Sequence, residues 1–273
     1  MQEAFNTRPT SSRFPESESR MKWQDRGRLS SSCMAAYLTD ECGTANSHSS
    51  LGPIACFVTI CAVPDKVETT PTAEPFTHHE DLRQFLKALD IHRVLLVGLS
   101  NYAIALDFTI AYPELVEKLV LVSPGLLGYD FRDPWVGTSF AAMMDALGRQ
   151  DLNRAIEVFL TMWVDGPYRK PAEVNPVVRE QAREMVTRSC SLSRLAPNCR
   201  GLEPQAVGRL SEVLVPTLVV LGQKDAPDIH AIGKLIHEGI VGSQEVTINN
   251  VGHALPMERP NEFNRTVESF LLY

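Results

Sequence analysis

Apolar and polar positions divide this chain of 273 residues into a patternless start and a strongly periodic remainder. Residues 1–52 are rich in Ser, Arg, Glu and Thr and sustain neither a period of two nor one of 3.6. No strand or helix is predicted there, and the segment reads as polar and poorly ordered. Residues 54–63 are apolar and largely β-branched until Pro64-Asp65 stops them, the pattern of a strand buried on both faces; a helical segment is the competing reading. From Thr77 the periods sharpen. Thr77-His78-His79-Glu80 fits a capping box, and Leu82, Phe85, Leu86 and Leu89 follow at helical spacing. Residues 93–97 read as a buried strand, 104–111 as a helix that Pro113 ends, and 118–122 as the next strand. Connections this short imply parallel strands joined by a right-handed crossover.

Beyond Pro124 the strand pattern stops. Helical patterns occupy 140–147, 152–163 and 177–186, punctuated by Pro and Gly, and no strand is expected before about residue 209. Strand order resumes at 217–221, followed by a helix near 229–240, a strand at 245–248 and a last helix after Pro260 with Phe263, Val267, Phe270 and Leu271 on one face. The predicted fold class is α/β: a mostly parallel central sheet with flanking helices, residues 53–124 and 210–273, interrupted by an inserted helical cap, residues 125–209. The cap is expected to lie over the C-terminal edge of the sheet, with Phe140, Leu160 and Trp163 helping to shape a pocket. Trp163, at helical spacing from Phe159 and Ile156, reads equally well as packing.

Charge and cysteine usage remove several function classes. A formal net charge of −7 argues against nucleic acid as a main partner, because phosphate binding needs a basic surface. The apolar run 54–63 is too short to cross a bilayer and does not follow a basic leader, so a cytoplasmic protein without membrane attachment is expected. Glu3, Glu16, Glu18 and Asp25 count against a transit peptide. Cys33, Cys42, Cys56, Cys61, Cys190 and Cys199 form no CxxC pair and no zinc-ligand arrangement with His, so they read as free thiols and no metal is expected. His78 and His79 read as solvated first-turn residues, and the charges between 179 and 188 as a solvated helix face with i,i+4 pairs.

Three loop positions carry candidate chemistry. Gly98-Leu99-Ser100 stands between a strand and a helix, where a tight turn presents a hydroxyl at the C-terminal edge of the sheet; a plain N-cap serine is the alternative. Asp225 follows the strand at 217–221 through Gly222-Gln223-Lys224 and falls on the same edge, with Asp228 as competitor and a solvated turn aspartate as the alternative for both. His253 follows a strand through Asn249-Asn250-Val251-Gly252, where Gly252 reads as permitting an unusual backbone conformation. Serine is a weak nucleophile until an imidazole takes its proton, and the imidazole needs a carboxylate to hold its tautomer. The chain order Ser, Asp, His is the one expected for a triad built on the loops of an α/β sheet.

Val97-Gly98-Leu99-Ser100, the stretch from Ala111-Tyr112-Pro113 to Val122-Ser123-Pro124, the stretch from Val215-Pro216 to Lys224-Asp225, Val251-Gly252-His253 and Met257-Glu258-Arg259-Pro260 together resemble the α/β-hydrolase family. The similarity runs from about Pro75 onward and is greatest to esterase and enol-lactonase-like members with a helical cap. It implies Ser100 as nucleophile, Asp225 as acid, His253 as base, and the backbone N–H of Asn101 as an oxyanion donor. Two departures stand out. The family usually has Ser-x-Gly-Gly after the nucleophile, whereas Ser100-Asn101-Tyr102-Ala103 places a ring where strand and helix approach closely. No His-Gly pair precedes Ser100 to supply a second oxyanion donor.

The function this implies is that of a serine hydrolase acting on a small, apolar ester, lactone or related carbonyl substrate, without a cofactor. Carbon–carbon bond hydrolysis and perhydrolysis fit the same triad. Dehalogenase and epoxide hydrolase chemistry would need a carboxylate where Ser100 stands. The reading from another class is a catalytically impaired member of the fold that binds a ligand or partner, and Tyr102 is what favours it.

Overall fold

The structure, a computed structural model, describes residues 34–38, 76–88, 90–100, 103–192 and 199–272. The elements in chain order are β1 (Met34–Leu38), β2 (Phe76–Thr77), α1 (His78–Ala88), β3 (Val94–Leu99), α2 (Ile104–Ala111) and β4 (Val116–Val122). Then come α3 (Pro134–Gly148), α4 (Leu152–Leu160), a π-helical turn at Thr161–Asp165, α5 (Pro176–Leu192) and β5 (Cys199–Arg200). β6 (Thr217–Gly222), α6 (Pro227–Gly239), β7 (Gln244–Ile248), α7 (Leu255–Glu258) and α8 (Pro260–Leu272) follow. β3, β4, β6 and β7 are parallel neighbours in that order, and β1 runs antiparallel along the other side of β3.

The near-continuous apolar runs of β3, β4 and β6 have a simple cause: successive side chains point to opposite faces, and both faces are covered. Val94, Leu96, Leu119, Leu121, Val219 and Leu221 pack with α1, α2 and α6, where Leu82, Phe108 and Ile232 are fully buried. Leu95, Val97, Val120, Val122, Leu218 and Val220 point the other way and pack with Val267 and Leu271 of α8. Helix starts follow capping chemistry. Thr77 Oγ1 accepts the Glu80 N–H at 3.3 Å at the start of α1, while the Glu80 carboxylate turns to Arg83, Gln84 and the Tyr112 hydroxyl. Asp133 caps α3 and Asp151 caps α4.

The helices between β4 and β6 enclose a cluster of their own, made of Ile156, Leu160, Val164, Val174, Val178, Ala182 and Val186. A buried bidentate pair closes it: Arg179 donates to Asp165 at 3.0 and 3.1 Å and to Glu157 at 3.0 Å. Charges on α5 therefore also reach other elements: Arg183 likewise pairs with Glu157 as well as with Glu180 on its own helix.

Several expectations change. β1 lies inside the stretch for which no element is predicted, because five residues are too few for a period to register and the strand is defined by its pairing with β3. A strand also occurs where none is expected between 125 and 209: β5 pairs in parallel with β2 over two residues, apart from the main sheet. Backbone pairing that short leaves no hydrophobic signature. His78 and His79 are half-buried, not solvated; the His78 ring stands edge-on to Phe76 at 5.5 Å, and burial pushes both imidazoles below their usual range. The run 54–63 and Cys33, Cys42, Cys56 and Cys61 lie outside the described residues. Among the described residues no helix is long and apolar enough to cross a membrane.

Candidate active site

Ser100 directly follows β3 and adopts a left-handed backbone, φ 58°. For a non-glycine residue this costs on the order of 1–3 kcal/mol and persists only where the surroundings enforce it. Here they do: the Ser100 N–H donates to the Val122 carbonyl at 2.9 Å, and the Ser100 carbonyl accepts from Gly125 N–H at 2.9 Å. Both bonds come from the end of β4, so the neighbouring strand clamps the turn from either side. The Ser100 N–H is thereby committed and does not face a reacting oxygen. The close approach of β3 to α2 is made at Gly98, where a Cβ would stand 2.5 Å from that of Ala105. Asn101 and Tyr102, the expected oxyanion donor and the expected obstruction, lie outside the described residues.

Asp225 follows β6 and is 1% exposed. Its Oδ1 accepts the Ala226 N–H at 2.8 Å, which fixes the carboxylate before any partner reaches it. His253 follows β7 and is also buried. The two loops meet backbone to backbone, with Lys224 N–H donating to Val251 O at 2.7 Å and Gln223 N–H to Ile248 O at 2.9 Å. Gly222 makes this contact feasible, since a Cβ there would lie 2.2 Å from the Gly252 carbonyl oxygen.

The structure brings Ser100, Asp225 and His253 together. His253 Nδ1 lies 2.9 and 3.1 Å from the Asp225 carboxylate oxygens, and its Nε2 lies 2.6 Å from Ser100 Oγ. A buried carboxylate can only accept, so Nδ1 carries the proton and Nε2 is the free acceptor for the serine hydroxyl. Such a chain can move a proton from Ser100 to His253 and stabilise the imidazolium that results.

Asp228 does not compete. Its carboxylate accepts from the Tyr129 hydroxyl and from the N–H groups of Arg132 and Asp133, so it ties the approach to α3 onto α6. Of the three residues expected to shape a pocket, only Trp163 is at the site, its ring 4.6 Å from that of His253. Leu160 is fully buried inside the helical cluster and Phe140 is 52% exposed. A helical period cannot say which of two apolar partners a face will meet, and the outcome differs for each residue.

Sequence reasoning assigned no role to Arg169 and Glu258, which form a buried ion pair with both side chains under a tenth exposed. No local signal could have found the pair, because 89 residues separate its members. Gly252 matters for a different reason than expected: its φ is not left-handed, and a Cβ there would stand 2.4 Å from Arg169 Nη2, so the guanidinium would have to shift.

Comparison with known proteins extends the geometry. Residues 47–266 match the sequence profile described as "Alpha/beta hydrolase family". A 2-hydroxy-6-oxononadienedioate/2-hydroxy-6-oxononatrienedioate hydrolase of Cupriavidus pinatubonensis is 28% identical over 198 residues, 70% of this chain and 66% of that protein. A protein of the same name from Pseudomonas putida is 29% identical over 197 residues, with the same shares. The chain thus spans just under two thirds of the length of these relatives. A solved carboxylesterase from Bacillus subtilis superposes with a TM-score of 0.55 at 23% identity, covering 77% of this chain and 71% of that one.

Proposed function

We infer that this chain, which belongs to the alpha/beta hydrolase family, is a serine hydrolase that cleaves an ester, a lactone or a related carbonyl substrate through an acyl-enzyme on Ser100. The observation that carries the reading is the continuous chain from Ser100 Oγ through His253 to Asp225, at 2.6 and 2.9 Å.

His253 Nε2 takes the hydroxyl proton as Ser100 Oγ attacks the substrate carbonyl, and Asp225 balances the charge on the imidazolium. The tetrahedral oxyanion needs backbone N–H donors, a role for which Asn101 N–H is the expected first contributor. His253 returns its proton to the leaving alcohol or, in a carbon–carbon cleavage, to the departing carbanion. Water activated by His253 then releases the acid and restores Ser100. The relatives are named as 2-hydroxy-6-oxononadienedioate/2-hydroxy-6-oxononatrienedioate hydrolases, and we keep hydrolysis of a carbon–carbon bond beside an activated carbonyl among the reactions proposed for the same three residues. We assign residues 125–209 the part of a cap, supported by the ring contact of Trp163 with His253. The proposed ligand is then a small carbonyl compound, expected from the sequence to be apolar and carrying two carboxylates in the substrates the relatives are named for, rather than nucleic acid or a membrane surface, and no cofactor enters the proposed cycle.

A fluorophosphonate probe and a short activated ester such as p-nitrophenyl acetate test the reading directly. Labelling at Ser100 is expected, and Ser100→Ala and His253→Ala should abolish both labelling and hydrolysis. Turnover is expected to be weak, since loss of one oxyanion donor costs on the order of a hundred- to a thousandfold and the second donor is unassigned. A cooperatively folded protein that neither labels nor hydrolyses would make this a ligand-binding member of the fold instead.

A further inference from the structure

The base loop and the helical insertion are joined by one buried guanidinium. Arg169 donates through Nη1 to Glu258 Oε2 at 2.5 Å and through Nη2 to Glu258 Oε1 at 3.1 Å. The same side chain donates from Nη2 to the Val164 carbonyl at 2.7 Å and from Nε to the Asp165 carbonyl at 3.0 Å. Those two carbonyls end the π-helical turn Thr161–Asp165, which carries Trp163. On the other side, Glu258 Oε1 accepts the N–H of Gly252, the residue just before His253, at 2.8 Å.

His253 is therefore held from two directions by one connected set of bonds. Glu258 fixes the backbone that leads into it. The turn fixed by Arg169 lays Trp163 against its ring at 4.6 Å. The insertion also touches the acid loop, because Gly166 stands where a Cβ would be 2.8 Å from the Lys224 carbonyl, next to Asp225. A planar fork is what this junction needs: three guanidinium nitrogens serve both Glu258 oxygens and two carbonyls, four acceptors, whereas an ammonium has three protons on a single nitrogen.

We propose that Arg169 and Glu258 are positioning residues that set the His253 imidazole for proton transfer with Ser100, with Trp163 as the contact through which the insertion bears on the ring. Neither residue touches the reacting atoms. The proposal deepens the serine hydrolase reading and rests on it for its catalytic meaning. A base misplaced by about an ångström loses on the order of a hundredfold in rate although every catalytic group remains present.

Two measurements on the full-length protein test this. The first is the rate of fluorophosphonate labelling at Ser100. The second is Trp emission against pH, in which protonation of His253 quenches the adjacent Trp163; the step is assigned by its loss in Trp163→Phe and His253→Ala. Glu258→Gln and Arg169→Met are expected to slow labelling by ten- to a hundredfold and to shift or flatten the emission step. Arg169→Lys, which keeps the charge and disturbs folding least, should show the same defects. Wild-type labelling and an unmoved step in Arg169→Lys, or in either other variant that melts cooperatively, overturn the proposal. Should the parent protein not label at all, the hydrolase reading falls while the emission step still decides whether the pair positions the ring.

Discussion

At the scale of single residues, Asp107 has the most direct consequence for behaviour in solution. It sits in α2, 2% exposed, with Oδ2 accepting the Leu202 N–H at 3.3 Å and Oδ1 without a hydrogen-bond partner among the described residues. Burial pushes its carboxyl up to about 7, against the opposing pull of the Leu202 N–H and Arg209. An unfolded aspartate titrates near 3.9, so between about pH 4 and pH 7 the folded chain holds a proton that the unfolded chain has released. This stabilisation is complete at the acid end and is lost as pH rises through about 7. Asp107→Asn should flatten that fall, which thermal melts of the two proteins at pH 5, 6, 7 and 8 would measure; parallel curves would refute it. Gly222 offers a second case. Gly222→Ala would press a Cβ onto a backbone oxygen that cannot rotate away, so a loss of about 1–3 kcal/mol is expected in chemical denaturation, together with slower probe labelling as the loops carrying Asp225 and His253 part.

The meeting of Ser100, Asp225 and His253 was legible because strand ends in a parallel sheet put their following loops on one edge, so residue type and place coincide. What remained hidden at this scale was pairing over distance. Asp225 and Asp228 stand in the same loop-to-helix segment and differ only in what faces them, the imidazole for one and the Tyr129–Asp133 segment for the other.

Among the elements, legibility follows burial. β3, β4 and β6 were readable since both faces are covered, and α2 stops at the residue before Tyr112-Pro113, as a proline there requires. α4 was read through to residue 163, yet the regular helix ends at Leu160 and a π-helical turn follows, its last bond running from Gly166 N–H to Thr161 O at 3.0 Å. Hydrophobic spacing is nearly the same in both forms over one turn, whereas the direction of Trp163 is not. β1 and β5 were missed because neighbours, not their own composition, define them.

For the whole molecule, the separate cluster under α4 and α5 implies two levels of stability. The sheet core joins residues from α1, α2, α6 and three strands, whereas the cluster of the insertion is small and closed by the Arg179–Asp165 pair. Amide hydrogen exchange should accordingly show α5 opening at lower free energy than β4 and β6, in a sub-global step. Equal protection across both would contradict two cooperative units.

The clamp on Ser100 also bears on the order of events as the chain is made. Its strained turn is enforced by Val122 and Gly125, within 25 residues along the sequence, whereas the imidazole it faces lies 153 residues further on. Short closures precede long ones, since the entropy of bringing chain ends together grows with their separation. A chain emerging from synthesis can therefore shape the Ser100 turn early and must wait for residue 253 before that hydroxyl meets its imidazole partner. On the serine hydrolase reading proposed above, attack by Ser100 is withheld by distance along the polypeptide until His253 has been made.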